Sequence, residues 1–63
     1  MQEFIAENPK QLNLCLRLLY AEHVNFSVRV IENPKGKIIF GVAVNVNDQR
    51  MTELEEKYRI MIS

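Results

Sequence analysis

The sequence has too little cysteine and histidine for a disulfide or a structural metal. Cys15 is its only cysteine and His23 its only histidine, so no disulfide can form within the chain and no tetrahedral zinc shell can be filled. A chain of 63 residues buries only about 60% of the surface that it exposes when unfolded. Small domains usually gain stability from a disulfide, a metal or a partner subunit. By elimination, the sequence favours a partner subunit.

The sequence also lacks a membrane span, a secretion signal and an excess of positive charge. No apolar run reaches the roughly 18 residues that a membrane helix needs. The N-terminus has no basic segment followed by an apolar stretch, so we expect a cytoplasmic protein. Eight Lys and Arg residues balance eight Asp and Glu residues. This balance weighs against a protein that depends on contacts with nucleic-acid phosphates.

No group of residues has the spacing of a catalytic, metal or cofactor site. His23 has no identifiable nucleophile or orienting carboxylate, and we interpret it as a possible positive charge near the carbonyl end of a helix dipole. Glu53, Glu55 and Glu56 would point in different directions on a helix, as on a solvated face. Cys15 lies among leucines, where a thiol usually behaves as a small buried apolar group. We therefore expect no enzyme activity, cofactor or metal.

Two helices are predicted, one on each side of a central segment. Asn8 and Pro9 form a typical start for the first helix, which we expect to run from Pro9 to about Glu22 or His23. Its apolar residues form two stripes: Leu12, Cys15, Leu16, Leu19 and Tyr20 in one, and Leu14, Leu18 and Ala21 in the other. A surface helix needs only one stripe, so the second could be covered by another protein. The second helix is capped by Asn47 or Asp48 and buries one face with Met51, Leu54, Tyr58 and Met61.

Between the helices, the apolar period changes from 3.6 to 2, which predicts a β-hairpin from Val24 to Val46. Residues 33–36 form a turn of sequence Asn-Pro-Lys-Gly, which favours a type I turn with a glycine bulge. The register then follows by counting: Val30 faces Phe40, Val28 faces Val42, Phe26 faces Val44 and Val24 faces Val46. Every large apolar residue lies on one face in this register, and we expect both helices to pack on that face.

Residues 1–6 are open to two interpretations, a short strand or a helical turn joined to the first helix. With the strand, which we favour, residues 1–63 form a single α+β domain of two layers in the order β-α-β-β-α. This order resembles a ferredoxin-like unit without its last strand. The resemblance concerns architecture alone and implies no function.

The face of the hairpin away from the helices is a candidate docking surface. Its small residues would let another strand, helix or sheet approach closely, whereas the alternative is a solvated face with Arg29 lying across Gly41. The candidate interface residues are Arg29, Ile31, Ile39, Gly41 and Ala43 on this face, with Leu14 and Leu18 on the first helix. The open edges of the hairpin could also add a strand from a second copy or from another protein.

The sequence therefore predicts a small non-enzymatic protein-interaction module that forms a homodimer, binds another protein, or does both. Regulators, inhibitors and accessory subunits of this size are often encoded by phages and mobile elements. One alternative is a nucleic-acid-binding regulator that uses Arg29, Lys35 and Lys37 near the hairpin tip. A third is a ligand-sensing module with a small molecule at a dimer interface.

Overall fold

A computed structural model describes residues 2–63, which form a three-stranded sheet and two helices. In chain order the elements are β1 (Gln2–Ala6), α1 (Pro9–Ala21), β2 (Phe26–Glu32), β3 (Ile38–Val44) and α2 (Asp48–Ile62). The predicted α+β class and β-α-β-β-α order are confirmed, and the short N-terminal strand is present. Met1, which the predicted strand included, lies outside the described residues.

Both helices begin at the asparagine caps that the sequence indicates. The side chain of Asn8 accepts a hydrogen bond of 2.8 Å from the backbone N–H of Gln11, and Pro9 occupies the first helical position. Asn47 caps α2 in the same way, accepting 2.8 Å from the N–H of Arg50. Each cap satisfies a backbone donor that has no partner within the helix. The apolar residues 60–62 continue α2 to its end.

α1 ends in a left-handed turn centred on His23. The N–H of His23 donates to the carbonyl of Tyr20 at 3.2 Å, and the N–H of Val24 donates to the carbonyl of Leu19 at 2.9 Å. These two bonds define a Schellman motif. His23 has a φ of 57°, a conformation that is usually left to glycine. The turn directs the chain from α1 into β2.

The hairpin has the predicted register. Val30 pairs with Phe40, Val28 with Val42 and Phe26 with Val44, whereas Val24 and Val46 lie beyond the strand ends. At the turn, Gly36 has a φ of 76° and its N–H donates to the carbonyl of Asn33 at 2.9 Å. The Asn33 side chain also accepts from the N–H groups of Lys35 and Lys37, each at 3.0 Å. These bonds close the predicted turn and fix the register of both strands.

β1 completes the sheet on the other side of β3. It pairs with β3 in antiparallel orientation, with Phe4 opposite Val42 and Ile5 opposite Gly41. The strand order is β1-β3-β2, so β3 is central and both β1 and β2 are edge strands of the described sheet. Val42, like Phe4, faces the helices, while Gly41 and Ile5 face the other way.

The core lies between the helices and the strands β1 and β3. Its buried members are Phe4, Cys15, Leu18, Leu19, Val42, Val44, Met51, Leu54 and Tyr58. The rings of Phe4 and Tyr58 meet edge to face with centroids 5.6 Å apart, a favourable aromatic geometry. α1 packs against both α2 and β1, and α2 also packs against β1.

The helices do not cover the whole apolar face of the hairpin, contrary to the expectation from sequence. On β2, Phe26, Val28 and Val30 remain 40%, 42% and 64% exposed. Only residues 7 and 8 connect β1 to α1, and this short connection holds α1 close to β1. α2 packs against α1 and β1 in turn. Both helices therefore lie towards the β1 side of the sheet, and the inner face of β2 stays open.

Candidate interaction surface

An ion pair covers the middle of the outer sheet face. Arg29 on β2 donates to Glu3 on β1 through two bonds, from Nε to Oε2 at 2.9 Å and from Nη2 to Oε1 at 3.1 Å. The pair crosses β3 above Gly41, which is buried. A Cβ atom at Gly41 would lie 2.6 Å from Oε2 of Glu3 and 3.1 Å from Cδ1 of Ile31. Glycine therefore makes room here for a contact within this chain.

The charges of the pair stabilise each other. The hydrogen bond from Arg29 lowers the pKa of the Glu3 carboxyl, and Glu3 raises the pKa of the Arg29 guanidinium. Bidentate pairs of this geometry also fix the orientation of both side chains. The side chain of Arg29 is thus directed along the outer face towards β1.

The structure brings five of the seven candidate interface residues onto one face. Register pairs Arg29 with Gly41 and Ile31 with Ile39, while Ala43 lies opposite Ser27. Ile31, Ile39 and Ala43 are half-buried, and Arg29 is exposed. The outer face thus offers mainly Arg29 and the side chains of Ile5, Ile31 and Ile39 to a partner.

The two candidate leucines lie on the other side of the sheet, in the helix layer. Leu18 is buried in the core, and Leu14 is half-buried beside Met61 and Ile62 near the end of α2. α2 therefore covers part of the second apolar stripe, for which the sequence suggested another protein. Tyr20, placed in the first stripe, is instead 82% exposed.

The basic residues of the nucleic-acid alternative do not form one cluster. Lys35 and Lys37 lie at the exposed turn. Arg29 lies four residues before Asn33, about 13 Å along an extended strand, and is bonded to Glu3. The hairpin tip therefore presents two lysines, without Arg29.

An exposed apolar surface lies on the helix side of β2, where the sequence predicted a covered face. We define the β2 surface by its exposed apolar side chains, which are Tyr20, Phe26, Val28, Val30 and Ile38. Phe26 and Tyr20 line the same open depression, of about 610 Å³, between the end of α1 and the start of β2. Tyr20 of α1 and Phe26 of β2 thus share one depression at one end of the β2 surface. The sequence did not predict it, because the alternation of β2 shows which residues share a face and not which strand the helices cover.

The backbone of β2 adds unpaired polar groups to the same surface. Asn33 is hydrogen-bonded to Lys37 at 3.1 Å, and antiparallel ladders alternate between bonded and non-bonded pairs. Ile31, Arg29 and Ser27 therefore direct their N–H and C=O groups to β3. Phe26, Val28 and Val30 direct theirs to the open edge, where no other strand in residues 2–63 pairs with β2. Three alternate apolar positions of β2 thus offer both side chains and backbone groups.

An ionic cluster joins the end of α1 to α2. Glu22 binds Arg50 at 3.1 Å and Lys57 at 3.0 Å. The hydrogen bonds from Lys57 and then Arg50 lower the pKa of the Glu22 carboxyl. Arg50 also donates to the backbone carbonyl of Glu22 at 3.4 Å, where a cation favourably meets the helix dipole. These charges hold α1 against α2.

Two buried ionisable groups lie in the core. Burial raises the pKa of the Cys15 thiol to about 11, so the thiol stays protonated at neutral pH and is a poor nucleophile. Burial also raises the pKa of Tyr58, and its hydroxyl has no hydrogen-bond partner within residues 2–63. Over the same range, no three His, Cys, Asp or Glu residues are grouped as metal ligands.

Comparison with family models, curated proteins and solved structures finds no match to this chain. Within residues 2–63, no helix has the length and apolar character needed to cross a membrane. The class that the fold defines is a small α+β domain built on a β-hairpin.

Proposed function

We propose that this protein is a non-enzymatic protein-interaction module that binds its partner through the β2 surface and the open edge of β2. The observation that carries the proposal is the coincidence of two features on Phe26, Val28 and Val30. Their side chains form an exposed apolar row, and their backbone groups point to the same open edge. Partner strands are recognised in this way, with backbone bonds providing affinity and side chains providing specificity.

The edge of β2 has little of the protection that edge strands usually carry. Such strands are commonly shielded by charges, prolines, bulges or a covering element. On the helix side of β2, the first three inward positions are apolar and only Glu32, at the end of the strand, is charged. Arg29 points to the opposite face and is held by Glu3. An open edge with an apolar face is a surface suited to another chain.

The size of the β2 surface sets the expected strength of binding. The exposed fractions of its side chains correspond to an apolar patch on the order of 500 Å². A standard stable interface buries about 800 Å² on each partner. Side chains alone fall short of that area, and the strand edge supplies part of the difference. We therefore propose a reversible contact, suited to a regulator, inhibitor or accessory subunit in the cytoplasm.

A matched pair of variants tests the surface. Val30→Glu places a charge on the β2 surface at a position that is 64% exposed, and Ile60→Glu does the same on α2 at a position that is 69% exposed. The immobilised wild type and both variants are incubated with extract of the source organism, and bound proteins are identified by mass spectrometry. We expect V30E to lose a partner that wild type and I60E retain. Equal retention by V30E and I60E would contradict the proposal.

A further inference from the structure

We infer that the chain that binds β2 is a second copy of this protein, paired strand to strand about a two-fold axis at Val28. This inference rests on the proposed function and names its partner. The two copies of β2 would run antiparallel, with the helices of both on the same side. Two three-stranded sheets would then become one sheet of six strands, and the two β2 surfaces would adjoin.

The backbone allows only certain registers for such a dimer. Phe26, Val28 and Val30 direct their N–H and C=O groups outward, so these residues must form the hydrogen-bonded pairs between copies. With Val28 on the axis, the backbone of Val28 in one copy hydrogen-bonds to Val28 of the other copy. Phe26 of each copy hydrogen-bonds to Val30 of the other. Strand pairing then covers residues 26–30 of both copies without a break.

Side-chain chemistry favours this register over those with the axis at Arg29 or at Val30. With Val28 on the axis, all pairs on the helix side are apolar, and Arg29 lies opposite Ser27 on the outer side. A two-fold axis at Arg29 would place the two copies of that cation opposite each other. It would also place Phe26 opposite Glu32 of the other copy. An axis at Val30 would place Val28 against Glu32. Like charges directly opposite each other are destabilising in a sheet, and so is a carboxylate against an apolar partner.

Charge also permits association with an identical chain. Eight positive and eight negative residues give the chain a formal net charge of zero at pH 7, so two copies approach without long-range repulsion. An isologous interface requires a surface that is complementary to itself. The stretch 26–30 meets this requirement because an apolar residue lies two positions away from Val28 on each side, Phe26 before it and Val30 after it.

Site-specific cross-linking tests both the partner and the register. In the proposed dimer the Cα atoms of the two copies of Val28 lie about 5.5 Å apart, within the range of a disulfide. The two copies of Val30 would be offset by four residues, about 13 Å along the strand. Under mild oxidation we expect V28C to form several-fold more disulfide dimer than V30C, although Val30 is the more exposed residue. Cys15 is buried in the core, away from β2, so we expect it to provide no competing thiol.

A mixture of two variants provides a second readout that does not depend on V28C. F26C and V30C, oxidised together, should form mainly the mixed dimer, because Phe26 pairs with Val30 of the other copy. Intact mass spectrometry distinguishes it from either homodimer. Equal cross-linking of V28C and V30C, or a mixture without preference for the mixed dimer, would overturn the inference.

The outcome separates this inference from the proposed function. Suppose that the cross-links do not follow the expected register but that V30E still loses a different protein, which I60E retains. The β2 surface then binds another partner, and the inference of a second copy is wrong. If V30E also retains every partner of the wild type, both the inference and the proposed function are wrong.

Discussion

The guanidinium of Arg29 reaches across the central strand to the carboxylate of Glu3, with Nε 2.9 Å from Oε2 and Nη2 3.1 Å from Oε1. This contact explains why Gly41 stands in the middle of β3, where glycine otherwise weakens a strand. It also links the two edge strands, which do not pair with each other. The strip of small residues around Gly41, which the sequence suggested as a docking site for another chain, instead accommodates an ion pair within this chain.

Gly41→Ala should uncouple Glu3 from Arg29. The added Cβ would lie 2.6 Å from the carboxylate oxygen that accepts the guanidinium, so the Glu3 side chain must move away. A double-mutant cycle with Glu3→Gln and Arg29→Gln, followed by urea unfolding, measures the coupling. We expect favourable coupling in the wild-type background and almost none in the G41A background. The same coupling in both backgrounds would show that glycine is not needed for the pair.

Local signals in the sequence predicted most of the fold. The two asparagine caps, the turn at residues 33–36 and the alternation on both sides of it depend on neighbouring residues, and each has the predicted geometry. The hairpin register followed because a shift of one residue would move every valine to the other face.

The contacts that the sequence did not reveal are those between distant elements. Glu3 meets Arg29 only because β1 pairs with β3, and no residue near Glu3 specifies that pairing. Tyr20 belongs to an apolar stripe on the helical wheel, yet it is 82% exposed because α1 is held towards β1. The β2 surface is missed for the same reason, since the lateral position of a helix on a sheet depends on the whole packing.

Glu22 should contribute to stability at neutral pH and lose that contribution in acid. Hydrogen bonds from Lys57 and Arg50 lower its pKa from the ordinary value of 4.5. A carboxyl whose pKa is lower in the folded than in the unfolded state stabilises the fold fully at any pH above its unfolded-state pKa. This stabilisation is lost as the pH falls through its folded-state pKa. Glu22→Gln should therefore lower the urea midpoint at pH 7 and flatten its decline below about pH 4.5.

Glu56→Gln is the control for this measurement, since Glu56 is exposed on α2 and forms no salt bridge within the described part of the chain. We expect its urea midpoint to follow the wild-type pH profile. If E22Q also follows the wild-type profile, the ionic cluster does not stabilise the helix pair.

The thiol of Cys15 should be unreactive until the protein unfolds. Burial raises its pKa from 9.0 to about 11, which lowers the thiolate fraction at a given pH by about 100-fold, and its side chain is fully buried. Labelling with a disulfide reagent at pH 8 should be slow without denaturant and rapid in urea, with a rate that follows the fraction unfolded. Prompt labelling of the native protein would contradict this placement of α1.

His23→Gly should stabilise the protein. His23 has a φ of 57°, and a side chain in the left-handed region costs about 1–2 kcal/mol per residue, whereas the added flexibility of glycine costs roughly 0.5–1 kcal/mol. The net gain in unfolding free energy should be up to about 1.5 kcal/mol. His23→Ala keeps the Cβ and should show no such gain. A glycine variant no more stable than the alanine variant would contradict the strain at this turn.

The most direct test of the central claim is sedimentation velocity over a dilution series of wild type, Val30→Glu and Ile60→Glu. If β2 is the surface through which two copies meet, the average mass of the wild type rises from monomer towards dimer with concentration. I60E should follow the wild type, and V30E should remain a monomer throughout. A wild type that stays monomeric at every concentration, or a V30E variant that associates as strongly as I60E, would contradict the account.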